Sequence, residues 1–309
     1  MYPAPPVKKT EVFARIPDQY RRPGQISAER VAAGKSSTHT DCFIEGPSFD
    51  KDGNLYLVDI AFGRVFKVKP SGAIEVIAEW DGEPNGLKIH QDGRIFIADH
   101  KCGLLLLDPE KGTVSPFVTR YLTENFKGLN DLYIARNGDI YFTDQGQSAI
   151  QDWSGRVYRH DTSGRTVRLL DHIPSPNGIV MNPAEKMMYI AATRGNCIWR
   201  TNLLPDNSGV VRPGIFIQLS GGVGPDGMAV DQAGNLVVAH AGAGIVWVFS
   251  PLGQPLWRID SCQQAHTTNV AFGGPQNRHL YITESESGCV LVTEMEIAGQ
   301  PMHSHLSLA

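Results

Sequence analysis

The chain of 309 residues contains no apolar run near the roughly 18 residues needed to span a bilayer. Its opening stretch, MYPAPPVKKTEVFARI, has no apolar core of the kind that marks a secretory leader. Five cysteines (Cys42, Cys102, Cys197, Cys262 and Cys289) are odd in number and form no C-x-x-C pair. That spacing excludes a disulfide framework and a cysteine zinc site, and predicts mostly buried free thiols in a reducing, cytoplasmic setting. The net charge of −4 comes without a basic block, which argues against nucleic acid as a partner. No G-x-S-x-G elbow, phosphate loop or dinucleotide fingerprint is present, so serine-hydrolase and nucleotide chemistry are disfavoured. Long amphipathic helical patterns are missing too, while glycine (32) and proline (20) are plentiful. The composition reads as an all-β protein that is not bound to a membrane.

What is present is a repeat. EGPSFDKDGNLYLVD starts at Glu45, NGLKIHQDGRIFIAD at Asn85 and NDLYIARNGDIYFTD at Asn130. NGIVMNPAEKMMYIAAT follows from Asn177, DGMAVDQAGNLVVAH from Asp226 and NVAFGGPQNRHLYITE from Asn269. Each phrase opens on an acid or amide, runs through a short apolar strand, turns, and begins a second strand. The opening residues are 40, 45, 47, 49 and 43 positions apart, the period of propeller blades. Six units predict a six-bladed β-propeller with four-stranded blades around a central channel, occupying residues 1–309 as a single domain. The last blade, with CVLVTEMEI, is expected to close the ring on an N-terminal strand such as EVFARI, within a leading segment of about 40 residues.

Four phrases place a glycine eight residues after the opening (Gly53, Gly93, Gly138, Gly234), and the fourth and sixth carry looser turns. Fourteen residues after the opening come Asp59, Asp99, Asp144 and His240. In a propeller the innermost strands surround one axis, so the openings form a ring: Glu45, Asn85, Asn130, Asn177, Asp226 and Asn269. Asn-Gly and Asp-Gly are routine turn dipeptides, and any one of these residues can be read as a turn. Six polar residues at one register of otherwise apolar strands are costly to bury without a use. Two carboxylates and four amides form an oxygen-rich set suited to a single Ca²⁺, with Mg²⁺, Mn²⁺ or Zn²⁺ as substitutes. The later acids and His240 are candidates to orient those ligands, or the acids bond to backbone amides of neighbouring blades.

FIEGPSFDKDGNLYLVDI, GLNDLYIARNGDIYFTD, SPNGIVMNPAEKMMYIAAT and GPDGMAVDQAGNLV together resemble the gluconolactonase/regucalcin (senescence-marker-protein-like) family, over about residues 40–295. The resemblance implies a six-bladed propeller with a divalent cation in its channel and, in most characterised members, lactone hydrolysis. It implies Glu45, Asn130, Asn177 and Asp226 as metal ligands, with Asn130 contacting substrate in some members. Asp226 is then the candidate base for the attacking water, with His240, His100 or His266 as the alternative, and Asn85, Asn130, His100, His240, His266 and Asn269 are candidate substrate contacts. Where many members continue with PPYG after the YFTD phrase, this chain has QGQSAIQDWSG, which is expected to line the entrance. The expected activity is metal-dependent opening of a small-molecule lactone. The alternatives are a phosphotriesterase-like or non-hydrolytic enzyme on the same ion, and a non-catalytic calcium-binding propeller.

Overall fold

The computed structural model describes residues 3–307. Strands 44–49, 55–59, 64–68 and 74–79 make blade 1, and strands 84–89, 95–99, 103–108 and 113–118 make blade 2. Strands 129–134, 140–144, 155–160 and 166–173 make blade 3, and strands 176–181, 187–192, 197–203 and 210–218 make blade 4. Blade 5 holds 224–230, 236–241, 245–249 and 255–260, and blade 6 holds 267–273, 279–284 and 289–294. The outer strand of blade 6 is Glu11–Arg15, antiparallel to Cys289–Glu294, so the ring closes on the N-terminal strand as the sequence predicts. One addition was not foreseen: Val7–Lys9 runs parallel to Pro255–Asp260 as a fifth strand of blade 5.

The first strand of each blade contacts the first strand of the next, and the sixth returns to the first. Strands such as Leu55–Asp59 and Ile95–Asp99 are buried along their whole length because each blade is sandwiched between two others. The core is accordingly divided into six clusters, one per blade junction. Leu57, Phe66, Ala271 and Val290 pack between blades 6 and 1, and Met181, Ile190, Val157 and Ile173 between blades 3 and 4. Each such side chain withdrawn from water contributes about 1.5–3 kcal/mol. The single α-helix spans Ala28–Ala32, and among the described residues no helix is long and apolar enough to cross a membrane. All five cysteines are free, three of them buried.

The hairpin turns obey one rule. Gly53, Gly93, Gly138 and Gly234 all have φ between 80° and 88°. The two turns that looked looser use the same left-handed conformation at the same register, with Glu185 at φ 53° and Asn277 at φ 57°. Asparagine tolerates that region, whereas for glutamate it costs about 1–2 kcal/mol. Glu185 is held there by Tyr133, whose hydroxyl donates to Oε1 at 2.9 Å, and by the Arg136 amide.

The far end of the channel is closed by the C-terminal segment. Gln300 donates its amide to Val230 O and its side chain to Tyr133 Oη, Gln91 N donates to His303 Nδ1, and Ser304 Oγ donates to Phe49 O. Beneath this strap lies a cavity of about 70 Å³ that Lys88 lines. At the open end the N-terminal segment is anchored by Arg64, which donates to Tyr20 O at 2.7 Å and pairs with Asp59 at 2.6 Å. Both side chains of that pair are buried. Arg64→Ala removes one partner and leaves a buried carboxylate unpaired, which should destabilise the fold by about 3–5 kcal/mol. Urea unfolding followed by tryptophan fluorescence measures this, and a loss under about 1 kcal/mol would show that water replaces the guanidinium.

Candidate functional site

All six phrase-opening residues fall on innermost strands. Every one of those strands breaks register at or beside the opening residue: between Glu45 and Ser48, Pro84 and Gly86, Leu129 and Leu132, Pro176 and Ile179, Pro225 and Met228, and Thr267 and Asn269. A bulge bends a strand and re-aims its side chains. Here the device recurs six times at one height. It needs close approach, which a glycine after the opening residue permits. A Cβ on Gly46 would lie 2.8 Å from Asn85 O, and one on Gly86 2.8 Å from Asn130 O. Buried threonines tie the neighbouring strands: Thr143 Oγ1 donates to Asn177 O, Thr193 Oγ1 to Pro225 O and Thr268 Oγ1 to Ile44 O.

In blade 3 the residue after the opening is not glycine but Asp131, which is buried in the channel. The sequence reading passed over it because the register pointed to Asn130. The signal was available, since an acid stands where four other phrases carry glycine. Asp131 Oδ1 accepts from Leu132 N at 2.8 Å and lies 3.8 Å from Lys88 Nζ. Asn269 Nδ2 donates to Glu45 Oε2 at 2.7 Å, and the Asn269 side chain also bonds to Asp131. Its Oδ1 accepts from Val270 N. Asn269 is therefore a clamp on Glu45 that also stands beside Asp131.

Glu45, Asp131 and Asp226 form a buried like-charge trio. Burial first, and then Asp226 and Asp131, push the Glu45 carboxyl well above the usual range. Burial and then Asp131 push Asp226 up to about 8, against a hydrogen bond from Asn177 and the charge of Arg194. Burial also raises Asp131, with Lys88 opposing it. The Asn177 amide stands beside Asp226, and its buried Oδ1 has no hydrogen-bond partner among the described residues. Asn130 gives its Nδ2 to Gln145 Oε1 at 3.1 Å, and Gln145 in turn donates to Ser175 Oγ at 2.8 Å. That bond fixes which side of the Asn130 amide faces away from Gln145.

The donor set is therefore carboxylate and amide oxygen, with the amide nitrogens turned to protein acceptors. Among the described residues no group of three His, Cys, Asp or Glu is gathered to hold an ion. Any cation here depends on Asn177 and Asn130 as much as on the acids. Hard oxygen donors and an orphaned buried amide oxygen are what a calcium-like cation requires.

The histidines are placed differently from one another. His240 is buried, takes a hydrogen bond on Nδ1 from Trp247 Nε1 at 3.2 Å, and has Nε2 3.0 Å from Gly221 O. Both ring nitrogens are thus partnered within the protein. Asp59, Asp99 and Asp144 likewise serve the loops. Asp99 Oδ1 accepts from Glu83, Lys101 and Cys102 amides, and Asp144 from Lys127 and Gly128 amides. These acids do tether backbone amides, but of loops beside their own blade and not of the neighbouring blades that the sequence reading expected. His266 stands half-buried at the open end, edge-on to Phe43 at 5.7 Å. His100 lies at the rim, its ring against Gly128. Asn85 is half-buried, whereas the five other ring residues are buried.

With this geometry in hand, comparison with known proteins is direct. The chain is 31% identical over 270 residues to lactonase drp35 of Staphylococcus epidermidis, covering 81% of this chain and 82% of the relative. Its fold matches a gluconolactonase from Xanthomonas campestris with a TM-score of 0.72 at 23% identity, covering 94% of this chain and 99% of the other. It also matches regucalcin, a calcium-binding protein of Agrobacterium tumefaciens, with a TM-score of 0.77 at 21% identity over 97% and 98% of the two chains. Residues 43–286 match the family described as the SMP-30/gluconolactonase/LRE-like region. The chain belongs to the SMP-30/gluconolactonase/LRE-like family.

Proposed function

We propose that the protein is a lactonase whose channel holds one divalent cation, Ca²⁺ before other hard ions, on Glu45, Asn130, Asn177 and Asp226. The observation that carries the ion is the buried Asn177 Oδ1, which stands beside Asp226 and has no hydrogen-bond partner among the described residues. The observation that supports the reaction is the relationship to a curated lactonase over four-fifths of the chain. When bound, the cation supplies Lewis-acid polarisation of the lactone carbonyl and charge to stabilise the oxyanion.

The remaining work belongs to the chain. The strap across the far end and the apolar blade junctions exclude bulk water from all but the open end of the channel. Asn130, whose Nδ2 is held by Gln145, presents its Oδ1 to the cation or to a hydroxyl of the substrate. Asp226 accepts a proton as water adds to the acyl carbon, and returns it to the alkoxide as the ring C–O bond breaks. The product is an open hydroxy-carboxylate. Lys88 neutralises one member of the acidic trio, which leaves a charge near −2 for a divalent partner.

A proton-release assay over aldonolactones, aromatic lactones and acyl-homoserine lactones, with and without chelator, tests the reading. Turnover lost on chelation and restored by Ca²⁺ is the expected result. Ion binding without turnover of any lactone would instead favour the calcium-storing reading, and turnover of a phosphotriester alone the phosphotriesterase-like one.

Protons and the cation compete for the same carboxylates. Asp226 has its carboxyl raised from 3.8 to about 8 in the ion-free fold. A folded-state value above the unfolded one means the native state holds the proton more tightly. Ion-free stability is therefore highest below the unfolded value and falls as pH rises toward about 8, with Glu45 and Asp131 acting in the same direction. Differential scanning calorimetry in chelator should show the melting temperature falling across that window. Added Ca²⁺ should raise it more at the alkaline end than at the acid end. A calcium-induced shift independent of pH would place the ion elsewhere.

Asp226→Asn keeps one ligand oxygen and removes the base. At saturating Ca²⁺ the rate should stay depressed by about 10²–10⁴. Asn177→Ala should lose metal affinity and recover much of its rate as Ca²⁺ is raised. Turnover against calcium concentration for both variants is the measurement. A near-native rate for Asp226→Asn at high calcium would move the base to another residue, with His266 next in line.

A further inference from the structure

The rim beside Asn85 carries a group of charges that the reaction above does not use. Glu83 lies two residues before Asn85, on the blade where the ring is least covered. Its Oε2 receives two cations from the N-terminal segment, Lys35 Nζ at 2.8 Å and Arg30 Nη1 at 3.3 Å. The Arg30 contact lacks hydrogen-bond alignment, and this buried Nη1 has no hydrogen-bond partner among the described residues. Arg30 is only 6% exposed and is further fixed by Ser36, which accepts from its Nε at 2.9 Å. His100 completes the group. Its backbone amide donates to Glu83 O, and its ring packs on Gly128, two residues before Asn130. Lys35, Glu83 and His100 all keep partial solvent access.

One carboxylate thus faces two permanent cations. Burial, and then the charge of Lys35, hold His100 down at about 4, so the imidazole adds no charge near neutrality. The rim group carries a surplus of one positive charge, whereas the channel floor is acidic until a cation balances it. Arg30 Nη1 has no exposed surface and already lies 3.3 Å from Glu83 Oε2, so Arg30 acts on the rim through its charge and not by direct contact. Arginine beside lysine is the usual chemistry for grasping a carboxylate.

We propose that Lys35 and His100, with the buried charge of Arg30 behind them, form a subsite at the rim for a carboxylate borne by the substrate. The preferred substrates are then lactones carrying a carboxylate away from the ester. This rests on the lactonase reading. It extends that reading by making the ring ester face the acidic channel while the second carboxylate faces the cationic rim.

The test pairs 5-oxotetrahydrofuran-2-carboxylate with its carboxamide, which has the same ring and no charge. In the native protein kcat/KM should favour the carboxylate by about tenfold or more, as one charge-assisted contact provides. In Lys35→Met that ratio should collapse toward one, and in Lys35→Arg it should be largely kept. Lys35 is a surface side chain, so folding is not at stake. Added salt should reduce the native ratio. Equal rates for the two lactones, or a ratio that Lys35→Met leaves unchanged, would overturn the subsite and leave Lys35 and Arg30 as a tether for the N-terminal segment. If neither lactone is turned over, the lactonase reading falls separately. Calorimetric binding of the two compounds then decides the subsite: preference for the carboxylate that Lys35→Met abolishes supports it, and no preference overturns it.

Discussion

Mutual repulsion among three carboxylates buried at the centre of the ring is the constraint around which this molecule is arranged. Isolated charges of one sign in a low-dielectric interior cost far more than the fold can spare. The chain relieves part of that cost through Lys88 and the Asn269 clamp, and part by letting the carboxyls take up protons. What is left unrelieved is an oxygen cage with charge to give away. The rest of the protein exists to hold that cage rigid: six blade junctions, six bulges at one height, and threonine hydroxyls tying blade 3 to 4, blade 4 to 5 and blade 6 to 1.

That rigidity explains why the polar residues sit on the innermost strands instead of on loops. An inner strand is clamped on both faces by its neighbours and by the second strand of its own blade. A side chain there cannot drift by the fraction of an ångström that an ion or a reacting carbonyl would feel. The outer loops surround the open end. The N-terminal segment brings Arg30 and Lys35 to the rim, and residues 145–154 set Trp153 and Ile150 in solvent. Chemistry and selectivity are thereby separated along the axis.

The sequence disclosed the fold almost completely, because a propeller repeats its signal six times. Even a weak turn or a short strand is then legible by register, as Glu185 and Asn277 illustrate: neither is glycine, yet each occupies the position that demands positive φ. The ring residues were legible for the same reason. What the repeat could not convey was anything that breaks it. Asp131 sits in a glycine register, Lys88 lies three residues beyond an opening asparagine, and Arg30 and Lys35 belong to no blade. Roles set by orientation were hidden too. Nothing in the phrase distinguishes Asn269, whose amide is spent on carboxylates, from Asn177, whose oxygen is free. Nor does it show that His240 is locked between Trp247 and Gly221.

The strap formed by Gln300 to Ser304 turns a tube into a well. With one opening, arrival and departure share a single path, and order is imposed on them. Whatever occupies the floor must enter before the molecule that sits above it, and cannot leave until that molecule has gone. A small solute resting on the rim would act as a stopper for everything below. Exchange at the floor would then slow in its presence, whatever the strength of the bonds that hold the deeper occupant.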